Sequence, residues 1–338
     1  MYGRTRAEVA HKLRLAQQAA AEGRLVLDER RTLGAYLDWW LTEEVALRVR
    51  ESTAVSYKQK VRHIQHAIGR VRLSRLGPVH VDHLLKDLHQ AGLSPRGVQY
   101  VHAVLRSALQ KAEQLGLIGR NVAGLVKPPP VPRFEVRPLT VEEAKELLKA
   151  VDGHRLSALY AVALAVGLRA GEALGLSWED IDLDAGTLRV RRSLQRLNGR
   201  LVYTPPKSKN AARTIALPPA LVATLQAHRT RQAAERLRRG DGWRDHGLVF
   251  PSEVGTPLEP RNLTRHFHET CKKAGLDRRR FHDLRHTCGS LLAAQGVHPR
   301  VAMEILGHSQ IRLTMEVYTH VASELQREAT GRVQDLLG

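Results

Sequence analysis

Apolar residues recur at helical spacing over the first third of the chain. In the segment SPRGVQYVHAVLRSALQKAEQLG, the positions that share one face are Val98, Val101, Leu105, Ala108, Ala112 and Leu115. Residues three or four apart lie on the same side of an α-helix, so the pattern predicts an amphipathic helix packed against neighbours. Ser94 and Pro95 suit its start, because serine caps a first turn and proline fits the first helical position. The segments TLGAYLDWWL, STAVSYKQKVRHIQHAIG and VHVDHLLKDLHQAG complete a predicted four-helix module.

The later part of the chain mixes helical patterns with strand patterns. Residues 155–167, RLSALYAVALAVG, are almost unbroken apolar sequence and too few to cross a membrane, so they predict a buried helix ending at Gly167. The stretch TLRVRRSL, a turn at Asn198–Gly199, and RLVYTPPKSKNAARTIAL alternate like a hairpin and a further strand. A helix that starts near His298 should stop at Gly307. The predicted fold class is mainly α with a small β-sheet, that is, α+β.

A proline-rich run divides these two parts. Residues 126–140, VKPPPVPRFEVRPLT, hold five prolines and little that could continue a helix, so they predict an extended linker. A chain of 338 residues is long enough for two domains, each with its own core. The predicted organisation is a helical segment over 1–30, a helical domain over 31–125, the linker, a second domain over 141–322 and a tail over 323–338.

The composition points to a polyanionic partner. Lysine and arginine total 53 against 34 acidic residues, a formal charge of +19, which favours nucleic acid over the alternative of a merely basic solvated surface. The two cysteines, Cys271 and Cys288, offer no disulfide framework, and the N-terminus lacks the apolar core of a signal peptide. We therefore expect a protein of the bacterial cytosol or nucleoid, with no membrane span.

Several side chains suit the cutting and rejoining of a phosphodiester. Two guanidiniums, Arg169 and Arg285, could hold the non-bridging oxygens of a phosphate bidentately. Lys207 is a candidate general acid for the departing 5′ oxygen. Tyr318 could attack phosphorus and form a covalent phosphotyrosine, which keeps the energy of the broken bond so that neither ATP nor a metal is required. Taken alone, Tyr318 could equally be a packed aromatic with a wet hydroxyl.

Local spacing supports these assignments. Glu172 follows Arg169 by three residues, close enough on one helical turn to orient the guanidinium. His282 and Arg285 are also three apart, so on a helix they share a face and can meet one phosphate. His308 lies just beyond a predicted helix end.

A metal site is the alternative for part of this set. His282 and His286 stand four apart with Cys288 nearby, but no glutamate lies between them as in HExxH, and there is no paired-cysteine knuckle. A metal-dependent nuclease needs clustered carboxylates, whereas Glu172 and Asp283 each lie beside an arginine. We expect no metal and no other cofactor.

Together, the motifs GLRAGE, TPPKSKNAART, FHDLRHT, LGHS and MEVYTHV resemble those of the tyrosine recombinase family, of which phage integrases are the best-known branch. The resemblance runs from about Thr32 to about Val321. The family's active site of Arg, Lys, His-x-x-Arg, His or Trp, and Tyr falls here on Arg169, Lys207, His282, Arg285, His308 and Tyr318. Lys209 remains an alternative to Lys207. The resemblance implies a site-specific recombinase or integrase that works through a 3′-phosphotyrosine.

The resemblance also implies a two-domain DNA clamp. Its N-terminal helical domain would be a core-binding domain that closes over DNA opposite the catalytic domain. The predicted DNA contacts are Thr53, Lys58, Lys60, Arg62, Arg96, Gln99, Arg106, Lys111, Lys209 and Arg213. The expected partners are double-stranded DNA at attachment-type sites and a homotetramer on two such sites, in which the tail contacts a neighbouring subunit. A directionality factor and a host DNA-bending protein are further candidates.

Some expectations stay open at the level of sequence. Residues 1–30 show no strand-rich domain of the kind that binds arm sites in many phage integrases. The same chemistry would also serve a Xer-like dimer resolvase or a type IB topoisomerase. A non-catalytic DNA-binding repressor derived from a recombinase is a further alternative, although the complete active-site set argues against it.

Overall fold

The computed structural model describes residues 5–10, 14, 30–132, 137–206, 211–308 and 310–319. The chain forms two compact units, Met1–Phe134 and Glu135–Gly338, which divide within the proline-rich run. Lys207, Lys209 and the predicted tail lie outside the described residues, as does most of 1–30.

The first unit is helical throughout its described elements. They are α1 (Leu33–Trp39), a π-helical stretch (Trp40–Val45), α2 (Ala46–Arg48), α3 (Glu51–Ile68), α4 (Pro78–Gln90), α5 (Pro95–Gln114) and 3-10 turns at Leu73–Arg75 and Val122–Leu125. The first three follow one another without a break, so the unit has the predicted pattern of four helical segments. The Ser94 hydroxyl accepts from the Gly97 amide at 3.2 Å, and Pro95 opens α5, as the cap pattern predicts.

The apolar faces of these helices form one core. Leu37 of α1, Ile64 of α3, Leu84 of α4 and Leu105 of α5 are each fully buried in it. The Tyr36 hydroxyl donates to the Ala108 carbonyl at 2.6 Å, which satisfies a buried polar group and ties α1 to α5.

The second unit carries most of its core on helices. They are α6 (Val141–Ala150), α7 (Ser157–Val166), α8 (Ala170–Gly175), α9 (Pro219–Arg239), α10 (Pro260–Lys273), α11 (Asp283–Ala294), α12 (Pro299–Leu306) and α13 (Ile311–Thr319). The central helix α7 is the predicted buried helix, and Gly167 ends it in the left-handed conformation. It starts two residues later than predicted, at Ser157, because the residues before it form turns. The side chain of Arg155 donates to the Pro251 carbonyl at 2.9 Å. Among the described residues, no helix is long and apolar enough to span a membrane.

The strands of the second unit form two small antiparallel sheets. They are β1 (Ile181–Asp182), β2 (Thr187–Val190), β3 (Ser193–Leu197), β4 (Arg200–Thr204) and β5 (Arg213–Ala216), paired as β1-β2-β5 and β3-β4. Asn198 and Gly199 have φ of 47° and 78°, the left-handed pair that a two-residue hairpin favours. The segment predicted as a single strand, TLRVRRSL, is broken between β2 and β3. There Arg191 pairs with buried Asp180, and Arg192 donates to the Gly175 carbonyl at 2.8 Å.

Candidate active site

Arg169 lies at the entrance to α8, directly after the left-handed end of α7. Its backbone is extended, with φ −68° and ψ 149°, and its amide donates to Glu172 Oε2 at 3.1 Å. Its Nη1 also donates to Glu172 Oε1 at 2.7 Å. The contact that the three-residue spacing predicts is therefore present, and one carboxylate fixes both the backbone and the guanidinium of Arg169.

A second arginine completes this arrangement. Arg213 Nη2 donates to Glu172 Oε2 at 3.2 Å, while its Nε and Nη1 donate to the Ile305 and Ala211 carbonyls at 2.7 and 3.1 Å. Its side chain is only 6 % exposed. We predicted a DNA contact for Arg213, and the structure corrects this. The strand β5 carries the side chain into the interior, where its donors are used by protein groups.

Glu172 is a buried carboxylate between two cations. Burial alone would raise the pKa of Glu172, but the positive charges of Arg213 and Arg169 and the hydrogen bonds from Arg169 outweigh it and hold the pKa below its ordinary value. Glu172 is therefore ionised at neutral pH and can act as a fixed anchor for both guanidiniums.

Arg285 is a buried arginine with an unused donor. It lies on α11, its exposed fraction is 3 %, and its Nη1 donates to the Gly167 carbonyl at 2.8 Å. Within the described part of the chain, Nη2 is buried without a hydrogen-bond partner. Burial, then the positive charge of Arg169, lowers the pKa of Arg285 to about 9. A cation held in this way would be satisfied by an anion that it shares with Arg169.

Two histidines lie at the start of α11. His282 immediately precedes the helix, and its ring centre is 5.0 Å from that of half-buried His286. Desolvation, followed by the positive charges of His286 and Arg285, lowers the pKa of His282 to about 4, although the residue as a whole is exposed. His282 is therefore neutral at pH 7. In the described residues, no group of His, Cys, Asp and Glu side chains is arranged to hold a metal ion.

The turn after α12 brings His308 to the same place. Gly307 ends α12 at φ 61°, and its carbonyl accepts from Arg169 Nη2 at 3.3 Å. A Cβ at Gly307 would lie 2.9 Å from Arg213 Nη1, so both the backbone and the close approach require glycine. This turn therefore depends on the same arginines as Glu172.

His308 is half-buried beside these arginines. Its Nδ1 lies 2.9 Å from Thr314 Oγ1. Desolvation, then the positive charges of Arg285 and Arg169, lowers the pKa of His308 to about 4. The ring is therefore neutral at pH 7, and the residue is partly exposed.

The hydroxyl of Tyr318 has a main-chain partner. It lies on α13, buried against Ala293 and Ala302, and its hydroxyl donates to the Val297 carbonyl. Burial raises its pKa. The described hydrogen bonds thus link Tyr318 to Val297 and not to Arg169, Arg285 or His308. The structure brings Arg169, Arg285 and His308 together, while the Tyr318 hydroxyl donates to the Val297 carbonyl.

Sequence reasoning missed how closely α8 docks on the β3–β4 hairpin. A Cβ on Gly171 would lie 2.4 Å from Ser193 Oγ, and one on Gly175 would lie 3.2 Å from the Arg192 carbonyl oxygen. The signal was two glycines four residues apart in RAGEALG, which share one face of a helix. This contact fixes the helix that carries Glu172.

The predicted DNA contacts on α3 do not form one face. Lys58 and Arg62 are exposed and four residues apart, whereas Lys60 lies roughly 200° around the helix from Lys58, since each residue turns it by about 100°. The Lys60 ammonium lies 5.5 Å from the ring centre of Tyr100, a residue of α5 that we did not predict. The Ser56 hydroxyl donates to the Tyr100 hydroxyl at 3.2 Å. Thr53 is seven residues before Lys60 and shares its side.

On α5, the predicted contacts also divide. Arg96 and Arg106 are exposed, whereas Gln99 donates to the Pro129 carbonyl at 3.3 Å. Lys111 forms an ion pair with Glu44 at 2.8 Å and is 19 % exposed. Glu44 also pairs with Arg48 at 3.1 Å, so the contact of Lys111 with DNA stays a prediction.

Comparisons with known proteins agree on one family. The model of the phage integrase family matches residues 137–324. The chain is 30 % identical to a tyrosine recombinase XerC-like protein of Caldanaerobacter subterraneus, over 99 % of this chain and 91 % of that protein. It is 31 % identical to the ICEBs1 integrase of Bacillus subtilis, over 75 % of this chain and 69 % of that protein.

Solved structures show the same fold. The Tn1549 transposon integrase in complex with a circular intermediate DNA is similar with a TM-score of 0.72 and 20 % identity, covering 88 % of this chain and 99 % of that one. A lambda integrase tetramer bound to a Holliday junction is similar with a TM-score of 0.64 and 20 % identity, covering 94 % and 88 %.

Proposed function

The chain belongs to the phage integrase family of tyrosine recombinases, and we propose that Tyr318 is its nucleophile and that Arg169, Arg285 and His308 bind the scissile phosphate. The family resemblance and the α+β fold class predicted from the sequence are confirmed. The protein is a site-specific recombinase of the integrase type, an enzyme that cleaves and rejoins DNA.

The observation that carries these roles is the unpartnered Nη2 of Arg285. It is buried next to a second cation, Arg169, which Glu172 holds in place. A five-coordinate phosphorane carries its extra negative charge on the non-bridging oxygens, and buried donors that are already in position stabilise such charge strongly. This pair of guanidiniums therefore supports binding of the scissile phosphate.

The reaction follows as a reversible transesterification. The Tyr318 oxygen attacks phosphorus, the bond to the 5′ oxygen breaks, and the 3′ phosphate becomes joined to the tyrosine. Lys207 gives a proton to the 5′ oxygen, with Lys209 as the alternative donor. Neutral His282 is suited to take the phenolic proton or to donate to the phosphate. Attack by a 5′ hydroxyl reverses each step and reseals the strand without ATP, a metal or another cofactor.

DNA must change the hydrogen bonding of Tyr318. Its hydroxyl donates to the Val297 carbonyl in this structure, so reaction requires it to exchange that partner for the phosphate. We propose that this exchange accompanies binding of the cognate site.

DNA binding and assembly are proposed from the solved relatives. Lambda integrase has been solved as a dimer bound to a COC′ core site and as a tetramer bound to a Holliday junction. We propose that this chain likewise acts as a homotetramer on two attachment-type sites in the bacterial cytosol. The first unit would serve as the core-binding domain, with exposed Arg96, Arg106, Lys58 and Arg62 as phosphate contacts. The tail, a directionality factor and a host DNA-bending protein would be further contributors.

Dimer resolution is the second candidate role. The XerC-like relative matches nearly the whole chain, which favours it, whereas the ICEBs1 relative is an integrase. Recombination of two identical sites on one plasmid would indicate a resolvase. Recombination of two different attachment sites would indicate an integrase.

The test is covalent trapping. Wild type and Tyr318→Phe are incubated with EDTA and labelled DNA from the junction of the element, nicked to trap the intermediate, and resolved on a denaturing gel. We expect a protein-linked 3′ product for wild type and none for the variant. A parallel wild-type reaction contains Mg²⁺ in place of EDTA. No adduct and no cleavage in either reaction, on DNA that is demonstrably bound, would reject catalysis and favour the repressor alternative. Cleavage with Mg²⁺ alone would indicate a metal nuclease.

A further inference from the structure

Thr314 is a buried polar residue on the helix that carries the nucleophile. Its exposed fraction is 0 %, and it lies four residues before Tyr318, so both side chains share a face of α13. Its hydroxyl oxygen lies 2.9 Å from His308 Nδ1. This hydrogen bond joins the nucleophile helix to a residue proposed to bind the phosphate.

The direction of this hydrogen bond follows from whether the hydroxyl hydrogen has another acceptor. In the part of the chain that the structure describes, Thr314 Oγ1 has no second hydrogen-bond partner. If it accepted from Nδ1–H, its own hydrogen would be buried and unpaired, which costs about 1–3 kcal/mol. When Oγ1–H donates to Nδ1, the buried hydroxyl hydrogen has a partner. A neutral imidazole then carries its proton on Nε2.

The chemistry of the phosphate favours the same tautomer. His308 is neutral at pH 7, because desolvation and the charges of Arg285 and Arg169 lower its pKa to about 4. A neutral ring has one donor and one lone pair. Because Nδ1 is occupied by Thr314, Nε2 is the ring nitrogen left to meet a phosphate. Nε2–H would donate to a non-bridging oxygen, whereas a lone pair there would repel it.

We propose that Thr314 is a positioning residue that fixes His308 as the Nε2–H tautomer, so that a neutral histidine meets the scissile phosphate as a hydrogen-bond donor. This rests on the proposed function, since it requires His308 to contact that phosphate. A hydrogen bond to one ring nitrogen commonly sets which tautomer the other nitrogen presents. At metal sites, losing the partner that orients a histidine ring lowers activity by roughly 10–100-fold, and we expect a loss of that order here.

The experiment compares two backgrounds by single-turnover cleavage of nicked DNA with the full chain. Thr314→Val removes the hydroxyl, and Thr314→Ser is the matched control that keeps it. Both are repeated in His308→Trp, because an indole has only a donor and needs no tautomer to be fixed. We expect Thr314→Val to lower the cleavage rate by roughly 10–100-fold and Thr314→Ser to keep most of the wild-type rate. In the His308→Trp background, we expect Thr314→Val to cause no further loss of cleavage rate.

Other results would overturn the proposal. Wild-type cleavage by Thr314→Val would do so, as would an equal loss in both backgrounds, which would mean that the hydroxyl supports α13 and not the ring. The tautomer can also be read directly by ¹⁵N NMR of wild-type protein labelled at its histidines, where His308→Gln identifies the His308 signal. This measurement does not depend on whether the Thr314 variants fold. Nε2–H supports the proposal and Nδ1–H overturns it. Failure of the proposed function is a different result, namely no adduct from wild type on bound DNA.

Discussion

The two sides of the active site are held in different ways. On the phosphate side, Glu172 lies between the guanidiniums of Arg169 and Arg213, and Arg213 also donates to two main-chain carbonyls. On the nucleophile side, Tyr318 is held by apolar packing and by one described hydrogen bond, to Val297. With the roles that we propose, the phosphate side is organised before DNA arrives, whereas the nucleophile must exchange its partner.

This organisation carries a cost in the folded protein. Arg285 is buried beside Arg169 with a donor unpaired among the described residues, and a buried unpaired donor is unfavourable. Functional sites commonly keep such local penalties, which the surrounding structure offsets. Here Glu172 supplies the compensating negative charge.

The largest change in stability is expected when the ion pairs of Glu172 with Arg169 and Arg213 are broken. Glu172→Gln removes the anion between two guanidiniums, one of which is almost fully buried, and breaking a buried ion pair costs about 3 kcal/mol or more. We expect the free energy of unfolding in urea to fall by about that amount. Glu146→Gln is the control, because the Glu146 side chain is 57 % exposed and its ion pair with Lys149 is long, at 3.9 Å. Equal small losses in both variants would show that the network does not stabilise the site.

Arg169 is one of the two guanidiniums that we propose bind the phosphate. Arg169→Ala removes a positioned donor, and a loss of this kind typically lowers the rate by ~10²–10³. We expect the variant to bind DNA in a mobility-shift assay and to cleave nicked DNA slower by that factor. Arg238→Ala, an exposed arginine on α9, should cleave like wild type. Near-normal cleavage by Arg169→Ala would reject its role as a phosphate ligand.

Local chemistry explains what could be predicted from the sequence. The left-handed end of α7 at Gly167, the hairpin turn at Asn198–Gly199 and the cap at Ser94 each depend on residues within a few positions. The spacing of Arg169 and Glu172 also placed them in contact, because both lie on one helical turn. Where conformation and partner are both local, the pattern of residue types is sufficient.

Partners that are distant along the chain explain which contacts could not be predicted from the sequence. Arg213 was predicted to contact DNA, but its partners Glu172 and Ile305 lie 41 and 92 positions away along the chain. The hydrogen bond from Tyr318 to Val297 spans 21 positions. Nothing near any of these residues indicates such a partner, so their placement required the fold.

The burial of His308 on the phosphate side should make the stability of the protein depend on pH. The pKa of His308 falls from an ordinary 6.5 to about 4 on folding. Between these values the unfolded chain binds more protons, so the stability is complete above about pH 6.5 and is lost as the pH falls toward 4. Urea unfolding at pH 7.5 and 5 should therefore show a smaller loss for His308→Gln than for wild type. The same loss in both would mean that the ring is not held neutral by its surroundings.

The smallest expected effect is on the nucleophile side. Tyr318→Phe removes the hydroxyl that donates to Val297 but keeps the ring against Ala293 and Ala302, so it should cost only about 1 kcal/mol in urea unfolding. That is less than the change expected for Glu172→Gln, although Tyr318→Phe should abolish the covalent adduct. A loss as large as that of Glu172→Gln would instead mean that this hydrogen bond is a structural anchor. DNA binding would then have to overcome several kcal/mol to release the tyrosine, and the contrast between a fixed phosphate side and a lightly held nucleophile would no longer stand.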